Sequence, residues 1–246
     1  MALLAGRVVV VCGVGPGLGR SIALASARAG ADVVLAARTA SRLDEVAKEV
    51  TALGRRGVAV PTDVTDGEAA ARLAEAALAA LGKIDTLVHN AFAIPPLTGL
   101  ADTDLATIRA AFDTNVVAAL RLTRLFTPAL AASRGSVVMI NSAVLRHSRP
   151  GFGGYKMTKA ALLALAQSLA SELGPQGIRV NSVAPGYIWG DSLKWYFGYL
   201  ARQRGVDVQQ VYDETAAAID LLDVHPALPR EIAEIPLQRV DRKSVV

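Results

Sequence analysis

The most constraining feature of the sequence is a regular alternation between short apolar runs rich in β-branched residues and longer segments with helical periodicity. The apolar runs are continuous, which is typical of strands in a parallel sheet that is buried on both faces. Between them, Leu43, Val46 and Val50 recur at helical spacing. The alternation predicts an α/β fold with a doubly wound parallel sheet between two layers of helices, in three αβα layers.

The predicted elements cover most of the first 183 residues. Strands are expected at 8–13, 32–37, 57–60, 84–89, 136–141 and 178–183, and helices at 21–29, 41–53, 67–81, 102–132 and 154–173. The fourth helical stretch is expected to break near Asn115. In such folds ligands bind beyond the carboxyl ends of the strands, so the residues that follow each strand are the first candidates for a functional site.

Composition excludes several classes of protein. With 246 residues, of which 52% are hydrophobic and 20% charged, the chain can fill a large core and is not expected to be disordered. Neither a signal peptide nor a membrane span is expected, and a single cysteine, Cys12, fits a reducing compartment. The net charge of +4 is scattered along the chain. We therefore expect a cytoplasmic protein that binds neither nucleic acid nor membrane, and no metal site.

A glycine-rich segment separates the first strand from the first helix. It contains Gly13, Gly15, Pro16, Gly17, Leu18 and Gly19. Glycines allow the backbone to approach a pyrophosphate, and the helix N-terminus supplies free N–H groups and partial positive charge. A tight structural turn would have the same composition, but the βαβ setting favours a dinucleotide site of the Rossmann type.

The second predicted strand ends in Ala37 and Arg38. A site selective for an unphosphorylated ribose usually has Asp or Glu near this point, whereas an Arg accommodates a 2′-phosphate. Arg38 therefore favours NADP over NAD, with Arg42 as a possible helper, although Arg38 could also be a solvated loop residue.

Tyr155 and Lys159 lie four residues apart near the start of a predicted helix and so share one face. An ammonium beside a phenol favours the phenolate, and we expect Lys159 to lower the pKa of Tyr155 toward working pH. Ser142 follows the fifth strand, and Asn115 lies in the preceding helical stretch.

In these motifs the chain resembles the short-chain dehydrogenase/reductase family of NAD(P)-dependent oxidoreductases. The resemblance extends over about residues 7 to 187. It implies that Tyr155 exchanges a proton with the substrate oxygen and that Ser142 orients this oxygen. It further implies that Lys159 holds the nicotinamide ribose and that Asn115 supports a water-linked proton path to Lys159. The other implied cofactor residues are Asp63 and Val64 near the adenine, Asn90 and Ala91 in the cleft, and Pro185, Gly186 and Ile188 near the nicotinamide.

Several residues depart from the family pattern. Cys12 replaces a usual Thr, and His89 and Phe92 replace the outer residues of the usual Asn-Asn-Ala-Gly. His89 is expected to be a hydrogen-bonded structural residue. The last strand signature of the family is absent, so we expect either that the C-terminal strand is missing or that the sheet edge is closed differently, which would also change the family's usual oligomer interface. We expect one domain over residues 1–246, with 187–225 as a substrate lid.

The predicted function is hydride transfer between NADPH and a secondary alcohol or ketone. Six aromatic residues between Tyr187 and Tyr199 suit a hydrophobic or cyclic substrate, but they could equally form the core of the lid or a subunit interface. Arg146, His147 and Arg149 could face an anionic group, although a solvated loop is the simpler interpretation. A homodimer or homotetramer is expected. The alternatives are a catalytically impaired nucleotide-binding or interaction protein and, less favoured, a phosphotransferase or a sugar-nucleotide epimerase or dehydratase.

Overall fold

The computed structural model describes residues 2–218, and these divide into two compact units, the first ending at Gly186 and the second beginning at Tyr187. The first unit is built on a sheet of six parallel strands in the order β3-β2-β1-β4-β5-β6. The strands are β1 Val8–Cys12, β2 Asp32–Ala37, β3 Gly57–Pro61, β4 Thr86–His89, β5 Ser136–Ile140 and β6 Arg179–Val183. The predicted doubly wound α/β fold is confirmed.

The helices of the first unit connect consecutive strands. They are α1 Leu18–Arg28, α2 Ala40–Ala52, α3 Gly67–Leu81, α4 Leu105–Phe112, α5 Ala118–Ser133 and α6 Gly153–Leu173. A π-helical segment, Asp113–Val117, joins α4 to α5. This segment is the break that was predicted near Asn115.

Side chains alternate between the two faces of the sheet. In β1, Val8 and Val10 pack with buried residues of α3, α5 and α6, whereas Val9 and Val11 pack with α1 and α2. The strand sequences read as continuous apolar runs because both faces are covered.

The stretch from Leu105 to Ser133 is long and apolar enough to cross a membrane by length and composition. In the structure it packs on one face of the sheet, with Leu122, Phe126 and Leu130 fully buried in the core.

The second unit contains α7 Asp191–Arg204 and α8 Val208–Ala218. Its small core is formed by Phe197, Ala201 and Val211. The ring of Phe197 lies 6.0 Å from that of Tyr187 and 6.1 Å from that of Trp189. Most of the aromatic cluster therefore packs within its own unit. The lid role stays a prediction, and residues 219–225 lie outside the described residues.

Candidate active site

The glycine loop lies between β1 and α1 and is held by its neighbours. The N–H groups of Gly13 and Val14 both donate to the oxygen of Ala36, at 2.8 and 3.1 Å, and Nδ2 of Asn90 donates to the oxygen of Gly13 at 2.7 Å. Asn90 and Ala91 thus lie against the loop, and their role in the cofactor cleft stays a prediction.

Two glycines of the loop are required by close packing. Gly13 has φ of +96°, and a Cβ placed there would lie 2.3 Å from the nitrogen of Ala91. A Cβ on Gly19 would lie 2.2 Å from the oxygen of Gly13. Larger residues at Gly13 or Gly19 would therefore force the loop out of position.

Gly15 and Gly17 differ from these two because an ideal Cβ on either would have no atom within 4 Å. They lie on the open side of the loop, with exposed Pro16 between them, and α1 begins at Leu18 without a side-chain cap. The first N–H groups of α1 therefore have no side-chain partner from Gly17. Open backbone at a helix N-terminus fits the pyrophosphate of a dinucleotide, so the residues present suit the cofactor.

The carboxyl ends of β2 and β3 carry the residues predicted to face the adenosine end of the cofactor. Arg38 and Arg42 are exposed. Hydrogen bonds from the Thr65 hydroxyl and N–H lower the pKa of Asp63, to which the positive charge of Arg38 adds. Oδ1 of Asp63 accepts both bonds, at 2.6 and 2.9 Å. Val64 is buried beside it.

Arg121, which the sequence analysis missed, supports this loop from α5. Its Nη1 donates to the oxygens of Val64 and Thr65, at 3.2 and 3.0 Å. Because the partners are backbone atoms more than fifty residues away in the chain, no local sequence pattern could have identified Arg121.

Ser142 and Tyr155 meet at the end of β5. Ser142 precedes a short 3₁₀ turn, and its Oγ accepts from the N–H of Val144 at 3.2 Å. Tyr155 lies in the first turn of α6. Burial raises the pKa of Tyr155 to about 12, and its hydrogen bond with Ser142 acts in the opposite direction. The phenol is therefore protonated at neutral pH.

Lys159 lies one turn further along α6 and is 2% exposed. Its Nζ donates to the oxygen of Ile140 at 2.8 Å and lies 5.6 Å from the centre of the Tyr155 ring. Burial lowers the pKa of Lys159 to about 8. The expectation that the pKa of Tyr155 lies below its ordinary value is wrong for this arrangement, because burial of the phenol raises the pKa more than the hydrogen bond with Ser142 lowers it.

Asn115 occupies the π-helical segment and is 2% exposed. Its Oδ1 accepts from the N–H of Ala93 at 2.7 Å, and its Nδ2 donates to the oxygen of Ala93 and to Oγ1 of Thr158, both at 2.8 Å. Asn115 thus connects the segment after β4 to α6 next to Lys159. π-Helical turns are frequent at functional sites. The water-linked path to Lys159 stays a prediction.

The remaining predicted residues are placed as follows. His89 is a structural residue as predicted, because its Nε2 is hydrogen-bonded to Oγ1 of Thr123 at 2.9 Å and burial lowers its pKa to about 4. The oxygen of Pro185 accepts from the N–H of Ala143 at 2.8 Å, which holds the end of β6 beside Ser142. Gly186 follows and is exposed, and Ile188 belongs to the second unit.

The arrangement at the carboxyl edge of the sheet combines two parts. One is a backbone cradle at the N-terminus of α1, and the other is a phenol that is hydrogen-bonded to a hydroxyl and accompanied by a buried ammonium. The first suits a dinucleotide, and the second can exchange a proton with an oxygen at the reacting carbon.

Comparison with known proteins gives a consistent result. Residues 7–195 match the family described as short chain dehydrogenase. An uncharacterized oxidoreductase of Mycobacterium tuberculosis is 41% identical over 190 residues, which are 76% of this chain and 72% of that protein.

Two solved structures are also similar. One is 7α-hydroxysteroid dehydrogenase in complex with NADH and 7-oxo glycochenodeoxycholic acid, at 34% identity and a TM-score of 0.74, covering 78% of this chain and 74% of that one. The other is a metagenomic short-chain oxidoreductase in complex with NADP, at 34% identity and a TM-score of 0.70, covering 75% and 84% of the two chains. The chain therefore belongs to the short-chain dehydrogenase/reductase family of nicotinamide-dependent oxidoreductases, which act on CH–OH groups.

Proposed function

We propose that this protein transfers a hydride between NADP and a secondary alcohol or ketone, with Tyr155 as the general acid and base. The observation that carries the proposal is the hydrogen-bonded pair of Ser142 and Tyr155 beside the buried ammonium of Lys159. When bound, the nicotinamide cofactor supplies the hydride chemistry. The chain must then orient the substrate oxygen and manage its proton.

The side chains divide this work in a simple way. In the reductive direction the Tyr155 hydroxyl, protonated at neutral pH because burial raises its pKa to about 12, donates to the substrate oxygen. Ser142 donates a second hydrogen bond that orients this oxygen. The phenolate left on Tyr155 is stabilised by the nearby ammonium of Lys159, because opposite charges attract strongly in a buried site. In the oxidative direction Tyr155 accepts the proton.

The preference for NADP is supported by Arg38. Its exposed guanidinium follows β2, where a ribose 2′-phosphate would be recognised. Its positive charge also contributes to the lowered pKa of Asp63 on the neighbouring loop. Arg42 is exposed one turn into α2 and could add a second positive charge. A charge-assisted contact to a phosphate would favour NADPH over NADH.

Fluorescence titration with NADPH and NADH tests this preference. We expect NADPH to bind at least about tenfold more tightly than NADH and Arg38→Ala to remove most of the difference. Arg72→Ala, which removes an exposed charge from α3, is the matched control. Equal binding of the two cofactors by the parent protein would overturn the preference for NADP.

The proposed substrate is hydrophobic or cyclic. In support, a structural neighbour is complexed with a ring-bearing ketone, 7-oxo glycochenodeoxycholic acid. In the second unit, Trp195 is 61% exposed and stacks on Tyr199 at 5.8 Å, so part of the aromatic cluster remains accessible. Turnover of a panel of cyclic and linear ketones with NADPH tests the substrate class, and a preference for short linear ketones would contradict it.

A cytoplasmic homodimer or homotetramer is the proposed state of the protein. It is supported by apolar side chains that remain exposed on the stretch from α4 to α5, among them Leu105, Val117 and Leu125. Exposed apolar patches often mark protein contacts. Light scattering would test the oligomeric state, and a monomer at micromolar concentration would contradict it.

A further inference from the structure

Thr158 lies on α6 between the two residues of the proposed proton chemistry, three positions after Tyr155 and one before Lys159. Its side chain is fully buried. A buried Thr hydroxyl in a helix can be satisfied by one bond to a carbonyl of the preceding turn. Thr158 makes this bond and also a second one, to a residue outside α6. It therefore lies at a junction between α6 and another element of the fold.

The directions of the two hydrogen bonds follow from the atoms involved. The hydroxyl of Thr158 donates its hydrogen to the main-chain oxygen of Tyr155 at 2.8 Å. Because a hydroxyl has one hydrogen, Oγ1 of Thr158 accepts the second bond, which Nδ2 of Asn115 donates at 2.8 Å. The hydroxyl thus joins the π-helical segment to the backbone of the residue that carries the phenol.

The side chain of Asn115 is held in one orientation by these contacts. Its two N–H groups donate to the oxygen of Ala93 and to Thr158, and its oxygen accepts from the N–H of Ala93. The opposite orientation of the amide would place its oxygen against the oxygen of Ala93. Since both N–H groups of the amide are occupied, this side chain affects the phenol through the elements that it holds together.

The first turn of α6, which carries Tyr155, benefits from a support outside the helix. It contains Gly153 and Gly154, and glycine is among the least favourable residues in a helix. Phe152, which precedes the turn, provides no side-chain cap. The turn must nevertheless keep the phenol within hydrogen-bonding distance of Ser142. Displacement of a reacting group by about 1 Å can lower a rate about a hundredfold.

We propose that Thr158 is a positioning residue for proton transfer, whose hydroxyl ties the turn that carries Tyr155 to Asn115 and so aligns the phenol with the ammonium of Lys159. The inference rests on the proposed function, in which the phenol transfers the proton. Because Thr158 has no exposed surface, it contacts neither substrate nor cofactor and acts through its neighbours. Its hydroxyl is the essential group, since Oγ1 makes both hydrogen bonds.

Substitutions at Thr158 separate the hydroxyl from the volume of the side chain. Thr158→Ser keeps the hydroxyl and loses a methyl group, whereas Thr158→Val keeps the shape and loses both hydrogen bonds. With a cyclic ketone and NADPH, we expect Thr158→Val to lower kcat at least about tenfold while KM stays within about twofold of the parent value. Thr158→Ser should retain at least about half of the parent kcat. Thr158→Ala, a second variant without a hydroxyl, should show the same loss as Thr158→Val.

Thr123→Val is the matched control for the loss of a buried hydroxyl. Thr123 is also fully buried, and its Oγ1 is hydrogen-bonded to Nε2 of His89 at 2.9 Å. Both Val variants should lower the midpoint of thermal unfolding by a similar amount, about 2–8 °C. Only Thr158→Val should lower kcat. An equal loss of kcat in the two variants would show a general effect of destabilisation and would overturn the proposal.

The pH dependence of alcohol oxidation reports on the alignment of Tyr155 with Lys159. In this direction the phenolate accepts the proton, so the rate rises as the phenol ionises. A phenolate that lies further from the ammonium is stabilised less. The midpoint of the rise should therefore move up by about half a unit or more in Thr158→Val and stay at the parent value in Thr158→Ser and Thr123→Val. An unshifted midpoint together with the parent kcat in Thr158→Val would contradict the positioning role.

Amide hydrogen exchange separates this inference from the proposed function, because it needs no turnover. Peptides that cover residues 152–160 should exchange faster in Thr158→Val than in Thr123→Val, with Thr158→Ser close to the parent. If the folded parent turns over no ketone or alcohol, the proposed function is refuted, and exchange alone decides whether Thr158 holds the turn of Tyr155. Exchange at the parent rate in Thr158→Val would refute the role of Thr158, and the proposed function would stand if the parent turns over ketones.

Discussion

Nζ of Lys159 donates a hydrogen bond to the main-chain oxygen of Ile140 at 2.8 Å, which holds a buried ammonium at the carboxyl end of β5. Burial lowers the pKa of this ammonium from 10.5 to about 8. Holding it in the charged form at neutral pH therefore costs about 3 kcal/mol. The charged ammonium lies next to Tyr155, where a positive charge stabilises the phenolate that proton transfer produces.

Replacement of Lys159 by Met should separate stability from activity. The variant loses the buried charge and one hydrogen bond, so its free energy of unfolding at pH 7 should stay within about 2 kcal/mol of that of the parent, while turnover is lost. In the parent, the unfolded state binds more protons between pH 8 and 10.5, so stability rises with pH across this range. Urea unfolding should show this rise in the parent and not in Lys159→Met. The same rise in both proteins would contradict the assignment of a lowered pKa to Lys159.

His89 should make the protein sensitive to mild acid. Its pKa is lowered from 6.5 to about 4 by burial, so the unfolded state binds more protons between these values. The part of the free energy of unfolding that depends on a neutral His89 is fully present above pH 6.5. It is lost as the pH falls to 4, a change of about 3 kcal/mol. His89→Asn should flatten this part of the stability profile, measured by urea unfolding from pH 4 to 7. An unchanged slope in the variant would refute the role of His89.

The glycines of the phosphate loop should fall into two groups when changed to Ala. Gly13→Ala and Gly19→Ala place a Cβ within 2.3 Å and 2.2 Å of backbone atoms, so both should lower the thermal stability strongly. Gly15→Ala meets no atom within 4 Å and should fold normally while binding NADPH less tightly. Differential scanning fluorimetry and NADPH titration on the three variants measure the two effects. Normal cofactor binding by Gly15→Ala would argue against a pyrophosphate at this loop.

Asn115 should be important for stability as well as for the site. Asn115→Leu leaves the half-buried N–H and oxygen of Ala93 without their partner, which we expect to cost about 1–3 kcal/mol. Thr158→Val removes only one of its bonds and should cost less. A double-mutant cycle measures the coupling, and additive effects would show that the two side chains do not interact.

Arg121 should affect the adenosine end of the cofactor selectively. Arg121→Met removes the bonds to the oxygens of Val64 and Thr65, so the loop that presents Asp63 is held less firmly. We expect weaker binding of NADPH and of adenosine 2′,5′-bisphosphate, with kcat at saturating NADPH unchanged. Arg124→Met, from an exposed position on the same helix, is the control. A fall in kcat without a change in either affinity would contradict this positioning role.

The sequence was sufficient for the fold because its local signals agree with the tertiary structure. Helix α3 is predicted at its observed bounds, 67–81. In the structure Asp66 caps its first N–H groups, and Gly82, with φ of 75°, ends it in the left-handed conformation. The π-helical segment was predicted only as a break near Asn115, because its hydrogen bonds to Ala93 and Thr158 come from distant parts of the chain.

The electrostatics of the site could not be predicted from spacing. The pairing of Tyr155 with Lys159 suggested a lowered phenol pKa, but the outcome depends on how deeply both groups are buried, which is a property of the packed fold. The contacts of Lys156 could not be predicted from the sequence for a related reason. It lies inside the Tyr155 to Lys159 motif, yet its contacts are with His147 and Ser148 on the preceding loop.

The most direct test of the account is deuteride transfer from NADPH labelled at the nicotinamide C4 to cyclic ketones, with the parent protein and Tyr155→Phe compared. The account predicts deuterium at the carbinol carbon of the product with the parent protein. For Tyr155→Phe it predicts unchanged NADPH affinity and a fall in turnover of at least about a hundredfold, because the proton donor is lost. Turnover by Tyr155→Phe at the rate of the parent, or failure of the folded parent to bind NADPH, would contradict the account.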